Sequence, residues 1–275
     1  MEPVLEKKQK KYKIPLWGIL IIFLVILAAF VFLIWWTVCS MFAGNSRFTL
    51  QKVFVESSGY WKGRRQQICE ILRIRPGSTN LFQMDPKMMR ERLLQREASM
   101  QRVEVRRILP DTLNVSILER IPVALINTPR SLHVVDSESV LMYKNRCMNI
   151  SYSLPVIVGL RNMSSYPVGS RINALDRAVE LIMLTKTAYP SIRIRSISIQ
   201  KPGQLVCAVY YKHNVQQGEM FRVVMPDTDL NRKLQELVAA LEDIRKKKEP
   251  RRNINLMFRG MAIITSVRDI SQGDS

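Results

Sequence analysis

The longest apolar run of the chain covers residues 14–38, IPLWGILIIFLVILAAFVFLIWWTV, and no charged residue stands between Lys13 and Arg47. At about 1.5 Å rise per residue, about 20 apolar residues cross a hydrocarbon core of about 30 Å. A helix here is therefore long enough to span a bilayer, and it lacks the polar positions of a buried globular helix. Tryptophans typical of interfacial anchors stand near its two ends: Trp17, Trp35 and Trp36.

Lysines cluster just before this run, in the segment EKKQKKYK, whereas the nearest basic residues beyond it are Arg47 and Lys52. Cytoplasmic flanks of membrane helices are rich in lysine and arginine, so residues 1–13 are expected to form a cytoplasmic tail. The rest of the chain, from about residue 40, then lies outside the cytoplasm. A cleaved signal peptide is the alternative, but its apolar core of about 7–15 residues is shorter, and no convincing cleavage site follows here. We therefore expect an uncleaved anchor that spans the membrane once, over residues 14–38.

Alternating and helical patterns follow in residues 48–122, which we interpret as a first folded unit. The segment FTLQKVFVE predicts a strand, and RRQQICEIL predicts a helix that ends before Pro76 and Gly77. Asp85 followed by Pro86 predicts the N-cap and first turn of a second helix. By their spacing around that cap, Met84 and Met89 occupy the N′ and N4 positions of a hydrophobic staple.

Two strands close this first unit. QRVEVRRI and LNVSILER each alternate apolar and polar residues, and the segment Leu109-Pro110-Asp111-Thr112 between them has turn chemistry. The predicted order is strand, helix, helix, strand, strand. Two helices on one face of a three-stranded sheet would bury both apolar faces. The fold class predicted for the chain is therefore α+β, with one N-terminal transmembrane helix.

This order resembles a POTRA domain, and several motifs resemble those of the bacterial division family FtsQ/DivIB. The shared features begin with the short basic tail and the membrane helix. The shared motifs are Asn80-Leu81-Phe82 with Asp85, the Arg-x-Leu-Pro-Asp-Thr-Leu element from Arg107 to Leu113, and Glu119-Arg120-x-Pro122-Val123-Ala124. The resemblance covers nearly the whole chain and weakens after residue 125. It implies a non-enzymatic scaffold of the cell inner (plasma) membrane, with its bulk in the periplasm, at the division septum. Ser57-Ser58 before Gly59 departs from the family, which has an immediate glycine.

Residues 123–265 predict a second mixed unit of strands and helices. LHVVDSESVLM predicts a hairpin that resembles the family's Val-Asp-x-x-Gly segment, with Ser139 where glycine is usual, and LPVIVG resembles a Leu-Pro-x-x-x-Gly step. Asn173, with Asp176 three residues later, predicts the cap of a helix that ends before Tyr189-Pro190. SIRIRSISIQ, LVCAVYY and MFRVVM predict strands. The stripe of apolar residues from Asp229 to about Lys247 predicts a helix that packs against the sheet.

The last predicted pair of strands lies in NINLMFRGMAIIT, before a polar tail of residues 266–275. Asn255 and Met257 depart from the family pattern, Asp-Leu-Arg-Tyr before a glycine. The resemblance implies that the final strand, about Met261 to Thr265, is a sheet edge whose free backbone groups a partner can complete. That partner would be an FtsB-like membrane division protein, itself paired with an FtsL-like one. The candidate binding residues are Phe258, Gly260, Met261, Ala262, Ile263, Ile264 and Thr265. Alternatively, this strand only closes the domain.

The basic composition allows several counterparts. Five lysines and two glutamates lie in residues 1–46, so the remainder carries 37 basic and 21 acidic side chains, a formal charge of +16. Outside the cytoplasm, the expected counterparts are anionic lipid headgroups or wall polymers, or else the charge is a solvated surface. No motif that combines aromatic and basic residues in the manner of RNA-binding or single-strand-binding domains is present. We therefore expect no nucleic-acid partner.

Catalytic and metal-binding patterns are missing from the sequence. It has two histidines, His133 and His213, and none of the serine-hydrolase, penicillin-binding, zinc-protease or P-loop motifs. Its four cysteines are widely spaced and predict neither a zinc site nor a disulfide framework. We therefore expect no catalytic residue, no cofactor and no metal.

Two other functions remain open. One is a POTRA-bearing assembly or secretion factor; such proteins carry a C-terminal barrel made of many alternating segments of about 10 residues, for which we expect no room here. The other is a membrane-anchored wall-binding module that uses the +16 charge.

Overall fold

The structure is a computed structural model of the 275-residue chain, and it describes residues 16–43, 45–126, 133–147, 154–212, 218–247, 252–258 and 260–265. The predicted tails, residues 1–13 and 266–275, and His213 lie outside the described residues. Helix α1 (Leu16–Ala43) extends five residues beyond the predicted end at residue 38. Its stretch Leu20–Phe42 is long and apolar enough to cross a membrane, by length and composition, and none of that stretch is buried.

The first folded unit has the predicted order. Its elements are β1 (Lys52–Glu56), α2 (Arg65–Leu72), α3 (Pro86–Arg96), β2 (Met100–Ile108) and β3 (Thr112–Glu119). The sheet order is β1-β3-β2, with β1 parallel and β2 antiparallel to β3. Apolar side chains from alternate strand positions, among them Val53, Val103, Leu113 and Val115, pack with both helices in one core. Strand β1 is shorter than the predicted segment FTLQKVFVE, which begins at residue 48. Leu50 of that segment precedes β1 but is still buried in this core.

Helix α3 begins as predicted. The Asp85 carboxylate accepts a hydrogen bond from the backbone N–H of Lys87 at 2.9 Å, and Pro86 occupies the first turn, where its missing N–H costs nothing. Met84 and Met89 are both buried on either side of this cap. The local sequence therefore fixes where this helix starts and which face it buries.

Glu119, at the end of β3, holds the loop between β1 and α2. Its carboxylate accepts hydrogen bonds from the Ser57 hydroxyl and from the backbone N–H groups of Tyr60 (2.7 Å) and Trp61 (2.9 Å). A side chain at Gly59 would meet this carboxylate, since an added Cβ would lie 2.4 Å from its Oε2. A larger residue there would push the carboxylate out of these hydrogen bonds. Ser57, one of the departures from the family pattern, donates one of them.

The second unit is built on one nine-stranded sheet. Its strands are β4 (Pro122–Ile126), β5 (His133–Asp136), β6 (Leu141–Tyr143), β7 (Val156–Val158), β8 (Ile192–Ser198), β9 (Gln204–Lys212), β10 (Gly218–Pro226), β11 (Asn253–Asn255) and β12 (Ile263–Thr265). The sheet order is β12-β11-β10-β9-β8-β7-β4-β5-β6. The β4–β7, β7–β8 and β10–β11 pairs are parallel, and the other pairs are antiparallel.

Helices α4 (Asp176–Ala188) and α5 (Leu230–Lys247) cover the core of this sheet. They touch each other, and the Tyr189 hydroxyl, just after α4, donates to Asn231 Oδ1 at 2.9 Å. The predicted cap at Asn173 is wrong. Asn173 begins a short 3-10 turn, and Leu175 occupies the N-cap of α4 without a side-chain hydrogen bond. The chain enters α4 directly from this turn, so no side-chain cap is used.

Arg120 joins the two units. It follows β3 directly, and its Nη1 lies 2.5 Å from Asp136 Oδ2 and 2.6 Å from Glu138 Oε2, at the turn of the β5–β6 hairpin. Asp136 also accepts the backbone N–H groups of Glu138 and Val140, at 3.0 and 2.8 Å. Beside this link, Ala98 packs against a small apolar cluster of the second unit: Val134, Met142 and Cys147.

Candidate partner-binding edge of the nine-stranded sheet

Strand β12 lies at one end of the nine-stranded sheet. It pairs antiparallel with β11, with Asn253 opposite Thr265, Ile254 opposite Ile264, and Asn255 opposite Ile263. The strand begins at Ile263, two residues later than predicted from the sequence. Among the described residues, no strand pairs with the far side of β12. The described sheet therefore presents a backbone edge here.

The hydrogen bonds on the other side of β11 show which backbone groups face this edge. The Arg222 N–H donates to the Arg252 carbonyl, and the Leu256 N–H donates to the Val224 carbonyl, both at 2.8 Å. Since successive backbone groups of a strand point to opposite sides, Asn253 and Asn255 face β12 and their opposite residues, Thr265 and Ile263, face back to β11. The N–H and C=O of Ile264 therefore point outward, where an added strand would bond.

The opposite end of the same sheet is closed by the chain itself. The Leu141 N–H of β6 donates to the Ser170 carbonyl at 3.0 Å, and the Leu141 carbonyl accepts the Gly169 N–H at 2.8 Å. The Ile172 N–H continues this pairing with the Ser139 carbonyl at 2.9 Å. Natural proteins usually cover or blunt sheet edges in this way because open edges aggregate. The contrast between the two ends makes β12 the candidate site.

Apolar side chains accompany the open edge. Four of them, in or just before β12, are exposed by 40% or more: Met257, Phe258, Met261 and Ile263. Ile264 differs, because it packs against the core of the second unit. An edge that offers both backbone groups and apolar side chains can bind an extended segment with alternating residues. This is the arrangement needed for strand addition.

Lys233 fixes the approach to this edge. It lies on α5 with its side chain only 6% exposed, and its Nζ donates to the Phe258 carbonyl at 2.9 Å and to Glu236 Oε2 at 2.7 Å. The hydrogen bond from Lys233 holds the pKa of Glu236 below its usual range. The connection between β11 and β12 is thus tied to the helix that covers the sheet.

The seven residues predicted from the sequence for this site all lie in the described ranges 252–258 and 260–265. Phe258, Gly260, Met261 and Ala262 form the turn into β12, where Gly260 has the left-handed φ of +69° that glycine adopts readily. Ile263, Ile264 and Thr265 form the strand itself. Lys233 was missed. Its spacing was a usable signal, since it lies three residues after Leu230 and four before Leu237, on the buried stripe of α5.

Asn255, which departs from the family pattern, has a local role. Its Oδ1 accepts the backbone N–H of Met257 at 3.0 Å, closing a turn at the end of β11. An aspartate carboxylate, usual at this position, would accept the same bond. The substitution therefore preserves the turn that starts the connection to β12.

The predicted membrane anchors lie on α1 with free surfaces. Trp17, Trp35 and Trp36 are 73%, 62% and 62% exposed. The ring centroids of Trp35 and Trp36 lie 6.3 and 6.2 Å from that of Phe32. Exposed apolar surface all round a helix is suited to lipid rather than to a protein core.

The described part of the chain brings together no recognisable catalytic constellation. No group of three or more His, Cys, Asp or Glu side chains that could hold a metal is found among the described residues. His133 lies on β5 with its ring centroid 5.4 Å from that of Tyr143. Cys69, Cys147 and Cys207 are buried free thiols, and burial raises the pKa of both Cys147 and Cys207 to about 12. Such thiols are poor nucleophiles.

In the part of the chain that the structure describes, a helix suited to a membrane, a βααββ unit and a second sheet that ends at β12 define a class of protein: a POTRA-bearing, membrane-anchored protein. Comparison with known families supports this, because the FtsQ-type POTRA domain matches residues 58–120. A curated relative, the cell division protein FtsQ of Geotalea daltonii, is 32% identical over 147 residues, which cover 53% of this chain and 51% of the relative. The chain is similar to FtsQ proteins in this region, and its match spans about half the length of this relative.

Proposed function

We propose that this protein is a non-enzymatic scaffold of bacterial cell division that recruits other membrane division proteins. It crosses the inner membrane once, over residues 14–38, with residues 1–13 in the cytoplasm and the POTRA unit (48–122) and the second unit (123–265) in the periplasm at the septum. Its partners are FtsB-like and FtsL-like proteins, and through them it helps to control septal peptidoglycan synthesis. The FtsQ-type POTRA match over residues 58–120 and the similarity to a cell division protein FtsQ support this proposal.

One observation carries the proposal: the backbone groups of Ile264 on strand β12 face outward, whereas the chain itself covers β6 at the opposite end of the sheet. Strand addition uses main-chain hydrogen bonds for affinity and the alternating side chains for specificity. The partner segment would be extended and would place apolar residues against Phe258, Met261 and Ile263. Because a scaffold acts through such contacts, this function requires no reactive side chain.

The test compares two substitutions at one position. Ile264→Pro removes the outward-facing N–H, whereas Ile264→Ala keeps it and also loses packing against the core. Full-length chains are co-expressed with the FtsB-like and FtsL-like proteins of the same cell and purified from membranes. We expect capture by the wild type and by Ile264→Ala, and loss of capture by Ile264→Pro. Equal capture by both variants would show that the contact does not use this edge.

A wall-binding module is the second candidate, since the chain beyond residue 46 carries a formal charge of +16. Binding of a cationic surface to an anionic polymer weakens as salt screens the charges. Retention of the full-length protein on purified wall polymer at low ionic strength, lost at high ionic strength, together with no capture of membrane partners, would favour this module over the scaffold.

A further inference from the structure

The POTRA unit is packed directly against the end of α1. The amide of Asn80 donates to the backbone carbonyls of Phe42 and Asn45, both at 3.3 Å. The rings of Phe42, Phe48 and Phe82 form a triangle with centroid separations of 5.5, 5.1 and 4.9 Å. A short 3-10 turn, Ser46–Phe48, leads from there to a bridge between Thr49 and Asn80. These contacts describe a fixed junction rather than an extended linker.

Strand direction determines which parts of the unit lie at this junction. Strand β1 runs away from α1, and β3 is parallel to it, so β3 also starts at the α1 end. The turn that joins β2 to β3, residues 109–111, must therefore lie there. Hydrogen bonds agree, because the Asp111 carbonyl accepts the N–H of Gln51 at 2.8 Å. Arg107, just before this turn, donates to the Met84 carbonyl and lies 5.9 Å from the Phe82 ring.

This end of the unit combines exposed apolar and basic side chains, and we name it the proximal end: Met88, Ile108, Leu109, Arg47, Lys52 and Lys87. The three apolar side chains are 62%, 48% and 56% exposed. The three basic side chains are exposed and have no ion pair among the described residues. Of the nearby acids, Asp85 is engaged in capping α3, and Asp111 bonds the Thr112 hydroxyl.

We propose that the proximal end rests in the headgroup layer of the bilayer that α1 crosses, with the Ile108-Leu109 tip inserted and the three basic side chains directed toward lipid phosphates. This rests on the proposed membrane span. Phe42 ends the apolar stretch of α1, four residues beyond the proposed span, and its ring contacts Phe82, so the surface around Phe82 lies just outside the hydrocarbon, in the headgroup layer. Apolar side chains beside cations are typical of surfaces that bind at that level.

The partner is lipid rather than protein because the surface is continuous with the membrane helix. A proximal end in the headgroup layer also sets the orientation of the protein relative to the membrane. The strands of the POTRA sheet lead away from the bilayer, and Arg120 at the far end of β3 carries the second unit on the side remote from the membrane. The edge strand β12 belongs to this remote unit.

The test uses two leucines of matched exposure at opposite ends of the β2–β3 hairpin. Leu109 is 56% and Leu118 is 54% exposed, and Leu118 lies near the end of β3 remote from α1. Leu109→Cys and Leu118→Cys are each introduced with Cys39→Ser in the full-length chain. Each variant is labelled in the folded state with an environment-sensitive fluorophore; the described native thiols are buried and react poorly. The labelled chains are reconstituted in phosphatidylglycerol-containing vesicles that carry a nitroxide lipid.

We expect the nitroxide to quench the label at position 109 and to leave the label at position 118 unaffected. Equal quenching at the two positions, or no quenching at position 109, overturns the proposal. Flotation of the vesicles distinguishes failure of the headgroup contact from failure of the proposed membrane span. Chains that float with the vesicles but show no quenching at position 109 refute the headgroup contact alone, whereas chains that do not float also refute the membrane span.

Discussion

Lys233 Nζ lies 2.9 Å from the carbonyl oxygen of Phe258, a contact that joins the covering helix α5 to the turn that leads into the edge strand. The buried ammonium also bonds Glu236 at 2.7 Å, so its charge is compensated inside the fold. The edge strand β12 is only three residues long and is held on one side by β11. A short strand of this kind depends on the connection before it for its position.

The first prediction concerns this contact. Lys233→Met keeps the apolar stem but removes the donor, and we expect it to destabilise the protein by about 1.5–3 kcal/mol, the range for hydrogen bonds to charged groups. Hydrogen exchange of residues 256–265 should accelerate more than that of the rest of the sheet. Arg232→Met is the matched control, since Arg232 pairs with the same Glu236 but is 59% exposed. Equal exchange in both variants would show that Lys233 does not hold the edge.

The second prediction concerns the link between the two units. Arg120→Met leaves the carboxylate of Asp136, which is 4% exposed, without its cation. We expect a loss of about 2–3 kcal/mol in the free energy of unfolding by urea, because a buried charge is costly when its partner is removed. Arg106→Met on the neighbouring strand is the control. Arg106 pairs with Glu104, and their side chains are 70% and 55% exposed, so we expect a loss in unfolding free energy below about 1 kcal/mol. A similar loss in both variants would contradict a special role for Arg120.

The third prediction tests the serine that replaces the family's glycine. Ser139 is buried and has φ +60°, in the left-handed region that costs residues other than glycine about 1–2 kcal/mol. Ser139→Gly relieves this strain but adds freedom to the unfolded chain, so we expect a net gain of up to about 1 kcal/mol. Ser137→Gly in the same turn, where φ is not positive, should lower stability instead. Urea unfolding of both variants measures the difference, and a loss for Ser139→Gly would contradict the strain.

Local chemistry made much of the first unit predictable. The start of α3 follows from Asp85 and Pro86, and the β2–β3 hairpin follows from alternation on both sides of a turn segment. The family resemblance supplied the edge strand before the structure placed β12 at the end of its sheet. These features depend on short segments whose own residues specify their conformation.

The order of the large sheet could not be predicted from such segments. Its parallel pairs join strands separated by many residues, as β4 with β7, and β10 with β11, and the alternation of a strand does not identify its neighbour. The cap at Asn173 failed for a related reason, because the same polar residue suits a 3-10 turn as well as an N-cap. Arg120 was part of a recognised motif, but its partners Asp136 and Glu138 lie in another unit and emerge only from the tertiary fold.

The last prediction concerns the pH dependence of stability at the buried thiol of Cys207. Burial raises its pKa from the ordinary 9.0 to about 12 in the folded protein. Below pH 9 the thiol is protonated in both states, so it contributes no pH dependence. Between pH 9 and 12 the unfolded chain releases the proton while the folded chain retains it, and stability therefore falls as pH rises, by at most about 1.4 kcal/mol per pH unit.

Comparison with a variant isolates this effect from the lysines and tyrosines that titrate in the same range. Cys207→Ala removes the titrating group, and some packing is lost at every pH. We expect the difference in unfolding free energy between wild type and variant to be constant below pH 9 and to shrink as the pH rises toward 11. A difference that stays constant through that range would mean that the thiol ionises equally in both states, which would contradict the burial of Cys207 on β9.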